Sequence, residues 1–100
     1  GVGEWRRVAT EHSHGGNAVF SVDWDMFAPR IATSGADDAI RVFRTHEDRL
    51  APVATKEHAH KGEVNCVKWH PKQQDTLASA GDDATVRIWR IKQSAEPTHE

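Results

Sequence analysis

The sequence predicts an all-β chain made of two four-stranded antiparallel blades of a β-propeller, and three observations carry that expectation. The chain repeats itself: residues 35–43, GADDAIRVF, return as residues 81–89, GDDATVRIW, and residues 17–24, NAVFSVDW, return as residues 62–69, GEVNCVKW. The offset between copies is about 45 residues, the length of one four-stranded blade. Short apolar runs alternate with Gly, Asp, Asn and Pro clusters, and no helical period interrupts them.

Each element follows from its residues. In chain order the repeat reads as an outer strand (5–10 and 53–57), an inner strand (19–24 and 64–69), a middle strand (30–34 and 76–80) and a further strand (40–44 and 85–91). The inner strands carry apolar residues at both parities: Val19, Phe20, Val22 and Trp24 in one, Val64, Cys66, Val67 and Trp69 in the other. A strand written that way is expected to be covered on both faces. The middle strands are rich in Ala, Ser and Thr, so stacked sheets can approach closely. The further strands alternate, with Arg41 and Arg87 opposite the Ile and Val positions.

Pro29 and Pro71 fall between inner and middle strands, where a missing N–H harms no ladder. Residues 45–50 read as a polar connector between repeats. Three segments result: 1–47, an outer strand of a preceding blade plus the first repeat; 48–92, the second repeat; and 93–100, a polar tail without apolar period. No apolar outer strand follows Trp89, so the second blade is expected to be one strand short. Repeats of this kind bury their faces against one another, and two fall short of the roughly three that such arrays need. The expectation is a module closed by other blades or by copies of itself, with the strand at 5–10 of one copy completing the second blade of another.

Composition narrows the function classes. No stretch approaches the roughly 18 apolar residues of a membrane-crossing helix, so no membrane partner is expected. A formal net charge of -2 lacks the basic face that a nucleic-acid backbone requires, which leaves proteins as the expected partners. Cys66 is the only cysteine, so no internal disulfide can form. That composition suits a reducing compartment, the cytoplasm, with the nucleus as the alternative.

Several residues imitate catalytic or metal chemistry. Ser79, His60 and Asp83 have the makings of a hydrolytic triad. The repeat argues against it, because His14, Thr33 and Asp37 hold the corresponding places in the first copy and two half-formed triads at a structural period are not how an active site is built. His12 with His14 and His58 with His60 are each two residues apart, which on a strand would turn both imidazoles to one side. No Cys or carboxylate completes a ligand set beside them, so neither metal nor cofactor is expected. Cys66 reads as a small core side chain. The pairs Asp37-Asp38 and Asp82-Asp83 sit in turns, where Asp accepts from backbone N–H groups.

The second repeat places His60 before the inner strand, WHP at its close, LAS in the middle strand, Asp83 in the turn and Trp89 at the end. With these residues the chain resembles the WD40 repeat family. It departs from the family pattern where Trp-Asp becomes Trp89-Arg90 and Phe43-Arg44, and where Gly-His becomes Ala59-His60 and Ser13-His14. More narrowly, DDAIRVF followed by AH, VNCVKWHPK and LASAGDD resembles the last two blades of the WD40 proteins of cytosolic iron-sulfur assembly.

The resemblance implies a buried chain of hydrogen bonds from Trp89 to Ser79, on to His60, and on to Asp83. In the first repeat, His14, Thr33 and Asp37 would form a truncated and weaker version, since Phe43 has no N–H to donate and His14 stands one residue further from its Trp than His60 does. It also implies a protein-binding rim receiving Ala18, Phe20 and Ala36 from the first repeat and Glu63, Asn65 and Asp82 from the second. The plain alternative there is a solvated loop on which Phe20 packs locally. The function implied is a non-catalytic protein-interaction scaffold. Its implied partners are an iron-sulfur delivery subunit, a helical-repeat platform subunit and apo-protein clients. An adaptor for substrate recruitment or signalling outside that pathway is the first alternative, and a hydrolase on Ser79, His60 and Asp83 the second.

Overall fold

The structure, a computed structural model, describes residues 2–92. Seven strands form two antiparallel sheets: β1 (Val19–Trp24), β2 (Arg30–Gly35), β3 (Ile40–His46) and β4 (Arg49–Lys56) in the order β1-β2-β3-β4, then β5 (Val64–Trp69), β6 (Thr76–Gly81) and β7 (Val86–Arg90) in the order β5-β6-β7. The inner strands fall where the sequence places them. Among the described residues the second sheet has three strands; the polar tail at 93–100 lies outside them.

Four expectations change. Residues 45–50 are not a connector: β3 and β4 pair down to His46 opposite Arg49, leaving Glu47 and Asp48 as a two-residue hairpin turn. Glu47 adopts a positive φ of 54° there, a conformation that normally calls for Gly or Asn, and so the usual hairpin signal is missing. The register of β3 against β4 shifts between Val42 and Phe43, where Pro52 sits in β4. β4 is an edge strand and tolerates proline, whereas the sequence reading began the strand only after it. Residues 5–10 form no strand, because the sheet they would join is not among the described residues and an unpaired strand has no ladder to hold it. Finally, β1 is not covered on both faces: Val22 is 61% and Trp24 64% exposed.

Each sheet is instead covered on the face that meets the other. The buried cluster joins Ala32, Ile40 and Val42 of the first sheet to Val64, Val67, Trp69 and Leu77 of the second, with Ala59 beside them. Ala32 is fully buried, and its small side chain lets β5 come close to β2. Burying each of Val67, Leu77 and Trp69 contributes about 1.5–3 kcal/mol.

Polar groups fix the register of this seam. Trp69 N–H donates to Asp23 Oδ2 at 2.8 Å and Trp69 Nε1–H to the Asp23 carbonyl at 3.2 Å. Ser21 Oγ accepts from Val67 N–H at 3.2 Å and donates to the Val67 carbonyl at 3.3 Å. Arg30 donates from Nε and Nη2 to Asp25 Oδ2 at 2.9 and 2.7 Å, reaches across to Asp75 Oδ1 at 2.8 Å, and lies 4.7 Å from the centre of the Trp69 ring.

Candidate functional site

Two arrangements repeat in both sheets: a buried histidine network and an exposed rim at the entry to the inner strand. In the second sheet the His60 side chain is fully buried. Its Nδ1 lies 2.9 Å from Asp83 Oδ1 and 3.1 Å from Thr85 Oγ1, its Nε2 lies 2.7 Å from Ser79 Oγ, and Trp89 Nε1–H donates to Ser79 Oγ at 2.9 Å. The direction that uses each donor once has Ser79 accepting from Trp89 and donating to Nε2, while Nδ1–H donates to the carboxylate. Asp83 also accepts Lys61 N–H at 3.0 Å, Thr85 N–H at 3.2 Å and the Thr85 hydroxyl at 2.8 Å. These bonds hold its carboxyl well below the usual carboxylate range, Lys61 N–H contributing most and outweighing the desolvation that would raise it.

The first sheet forms the counterpart. His14 Nδ1 lies 2.6 Å from Asp37 Oδ1, and Nε2 lies 2.9 Å from Thr33 Oγ1. The chain of bonds stops at Thr33, as the Phe43 side chain dictates. At the acidic end, however, Arg41 Nη1 donates to Asp37 Oδ2 at 2.7 Å and to the Ser13 carbonyl at 2.8 Å. Burial works to raise the Asp37 carboxyl, but the hydrogen bonds from His14 and Arg41 prevail and lower it. In the second sheet Arg87 is the equivalent, 3.4 Å from Asp83 Oδ2 and donating to the Ala59 carbonyl at 3.1 Å. In the sequence both arginines read as strand positions opposite the Ile and Val set, although each stands four residues after its Asp.

The glycines before the acidic turns make room for these imidazoles. A Cβ on Gly81 would lie 2.5 Å from His60 Cγ, and one on Gly35 would lie 2.7 Å from both His14 Cγ and the Ala18 carbonyl oxygen.

The geometry has the order of a Ser-His-Asp triad, but Ser79 is buried and both of its hydrogen bonds are committed within the sheet. The paired histidines do not converge: His58 is 84% exposed beside Asp38, where that hydrogen bond raises its pKa, while the His60 ring is turned into the sheet. Among the described residues no three His, Cys, Asp or Glu side chains gather at a metal-binding distance. Cys66 is half-buried.

The rim is built the same way twice. Ala36 N–H donates to the Ala18 carbonyl at 3.0 Å, and Asp82 N–H to the Glu63 carbonyl at 3.0 Å. Register shifts between Val19 and Ser21, and between Val64 and Cys66, make Phe20 and Asn65 the extra residues of two equivalent bulges. A bulge re-aims its side chain out of the ladder. Phe20 is accordingly 43% exposed, and Asn65 turns to donate from Nδ2 to Asp82 Oδ1 at 2.9 Å. The structure thus brings Ala18 to Ala36 and joins Glu63, Asn65 and Asp82, with one aromatic and one amide at matching positions.

Known proteins resemble this chain. The WD40 family, described as WD domain, G-beta repeat, matches residues 5–44 and 51–90. The chain is 36% identical over 99 residues to the probable cytosolic iron-sulfur protein assembly protein CIAO1 homolog of Nematostella vectensis, covering 93% of this chain and 30% of that protein. It is 37% identical over 94 residues to the probable cytosolic iron-sulfur protein assembly protein ciao1 of Xenopus tropicalis, covering 88% of this chain and 28% of that one. It therefore spans less than a third of the length of these curated relatives. Among solved structures, a chain of the crystal structure of the mitotic checkpoint complex aligns with a TM-score of 0.67 at 20% identity, over 78% of this chain and 24% of that one, a likeness of fold. Two matched repeats, two sheets at the same spacing and a buried His-Asp pair in each make the conclusion plain: the chain belongs to the WD40 repeat family.

Proposed function

We propose that this chain is part of a non-catalytic protein-interaction scaffold of cytosolic iron-sulfur protein assembly. The observation that carries the reading is identity of 36–37% across about nine-tenths of the chain to proteins named for that process. A scaffold is supported over an enzyme, since the triad-like hydroxyls of Ser79 and Thr33 are buried within their sheets. The rim supplies the binding chemistry: an outward Phe20 on one blade and an acidic cluster of Glu63 and Asp82 on the next. Partners in this reading are a delivery subunit, a platform subunit and apo-protein clients, met in the cytosol.

Affinity purification from cytosol tests it. Enrichment of iron-sulfur assembly subunits is expected, and it should fall in the combined variant Phe20→Ala, Glu63→Lys, Asp82→Lys while the fold persists, because exposed changes typically move stability by only about 0.5 kcal/mol. Enrichment of unrelated partners alone would place the chain with WD40 adaptors outside the pathway. Labelling of Ser79 by a fluorophosphonate would overturn the non-catalytic reading.

A further inference from the structure

The chain passes from the first sheet to the second through residues 57–63, and the first sheet grips that segment through Asp38. Asp38, in the turn between β2 and β3, receives the His58 N–H at Oδ1 (3.3 Å), holds Oδ2 at 3.0 Å from His58 Nδ1, and offers its carbonyl to Ala59 N–H at 2.8 Å. From there the segment belongs to the second sheet. The Ala59 carbonyl accepts from Arg87, Lys61 N–H donates to Asp83, and the buried His60 ring lies between Asp83 and Ser79. Ala59 itself is fully buried in the cluster that joins the sheets.

The turn does not need the Asp38 carboxylate in order to form. Asp38 has a φ of 63°, and Ala84, at the matching place in the second repeat, has a φ of 65° without a carboxylate. His58 is also left-handed, with a φ of 54°, a conformation that His accepts more readily than most side chains but that still needs contacts to hold it. Those contacts are of two kinds. The Ala59 bond to the Asp38 carbonyl is backbone to backbone and carries no titratable group. The side-chain pair lies open to solvent protons, and a protonated His58 gives it a charge-assisted bond, whereas a neutral ring can still donate from Nδ1 but without the charge. Asp38 faces His58 from the β2–β3 turn. On the segment of His58 itself Glu57 favours the protonated ring and Lys56 opposes it, with the Lys56 ammonium 5.3 Å from the centre of the Trp89 ring, while His60 is turned away into the second sheet. The hydrogen bond and charge of Asp38 prevail and raise the pKa of His58 above its ordinary 6.5.

We propose that Asp38 and His58 form a pH-sensitive latch that fixes the start of the second repeat to the turn of the first, tight while the imidazole carries its proton and slack once it has lost it. The contribution is complete below pH 6.5, where folded and unfolded chains are both protonated, and fades as pH rises through the higher folded midpoint. Opening is local, because Ala59 keeps its backbone bond to Asp38 on one side and its bond from Arg87 on the other. Deprotonation also leaves the Asp38 carboxylate uncompensated on the rim that already carries Glu63 and Asp82. The latch is independent of any role in iron-sulfur assembly.

Two measurements on the whole chain test it: an NMR titration of the imidazoles, which reads the midpoint of His58, and amide hydrogen exchange, which reads the linker. His58 should titrate above 6.5, and Asp38→Asn should bring its midpoint back toward that value, since Asn keeps the left-handed turn but removes the charge. After correction for the intrinsic pH dependence of exchange, protection of the His58 amide should fall about twofold or more from the acid to the alkaline side of that titration, a modest change because the pair is exposed. His58→Asn, equally at ease with a positive φ, should show constant protection at residue 58 across the same range. A His58 midpoint at or below 6.5, or protection that does not follow the titration, would overturn the proposal on the unaltered chain alone, whether or not the variants fold. So would an Asp38→Asn chain whose His58 titrates as before, or a His58→Asn chain whose protection still follows pH.

Discussion

At the scale of single residues, His60 and His14 test how much a completed hydrogen-bond chain adds. His60→Ala strands Ser79 and leaves Trp89 donating to a group without its own acceptor, so it should destabilise by about 2–4 kcal/mol in chemical denaturation. His14→Ala should cost less, since no Trp stands behind Thr33, but the gap will be narrowed by Arg41, which binds Asp37 more closely than Arg87 binds Asp83. Comparable midpoints for the two variants would mean that the Trp89 bond adds nothing measurable. The glycine beside each ring gives an independent check. Gly81→Ala would press its Cβ on the buried His60 ring, an overpacking that costs about 1–3 kcal/mol, whereas Ala at Gly16, where a Cβ meets open space, should leave stability nearly unchanged. The acidic members set a pH dependence. Asp83 and Asp37 both have folded pKa values below those of the unfolded chain, so the unfolded state takes up protons first. Their contribution is complete above about pH 4 and is lost as pH falls further through the folded values. Stability measured from pH 7 downward should therefore hold to about pH 4 and then decline, and Asp83→Asn should flatten that decline.

At the scale of elements, what could be read from the sequence depended on whether the determining signal was local and repeated. β1, β2, β5 and β6 were legible because their residues recur at one period, the inner strands closing on Trp24 and Trp69 and the middle strands on Gly35 and Gly81. The His60 network was legible because the resemblance named its members, and the bulges at Phe20 and Asn65 were not, because a bulge is a relation between two strands and leaves no mark in either alone. The β3–β4 hairpin was hidden by its chemistry: Glu47 and Asp48 give neither Gly nor Asn at a turn that needs a positive φ. That mismatch carries its own prediction. Glu47→Gly removes the steric cost of the left-handed conformation and should raise stability by about 0.5–1 kcal/mol after the added freedom of the unfolded chain is counted. A lower unfolding midpoint would show that Glu47 earns its place through an interaction outside the turn.

At the scale of the whole molecule, the two sheets are joined by an apolar cluster, by the hydrogen bonds of Ser21 and Asp23 to β5, and by the buried Arg30. Arg30 was legible only as the first residue of a middle strand, since its role depends on Asp75 in the other repeat and on Trp69 beneath it, and no second copy of that arrangement exists among the described residues to flag it. Its side chain is 7% exposed and that of Asp25 only 1%, so the pair is out of water and each charge depends on the other. Breaking a buried pair by removing one partner costs about 3–5 kcal/mol, chiefly because the remaining charge is stranded. Arg30→Ala should therefore destabilise the chain by about that amount, and it should do so through the seam: hydrogen exchange should rise in β1 and β5, which face each other, more than in the β3–β4 hairpin at the periphery. Asp75→Asn should cost much less, because Asp75 is 27% exposed and Arg30 keeps its two bonds to Asp25. Replacing both members of the inner pair, Arg30→Met with Asp25→Asn, removes both charges at once and should recover part of the loss, as expected where the penalty lies in an unpaired charge rather than in a missing contact. If the double replacement were no more stable than Arg30→Ala, the contribution of Arg30 would instead lie in its packing over Trp69.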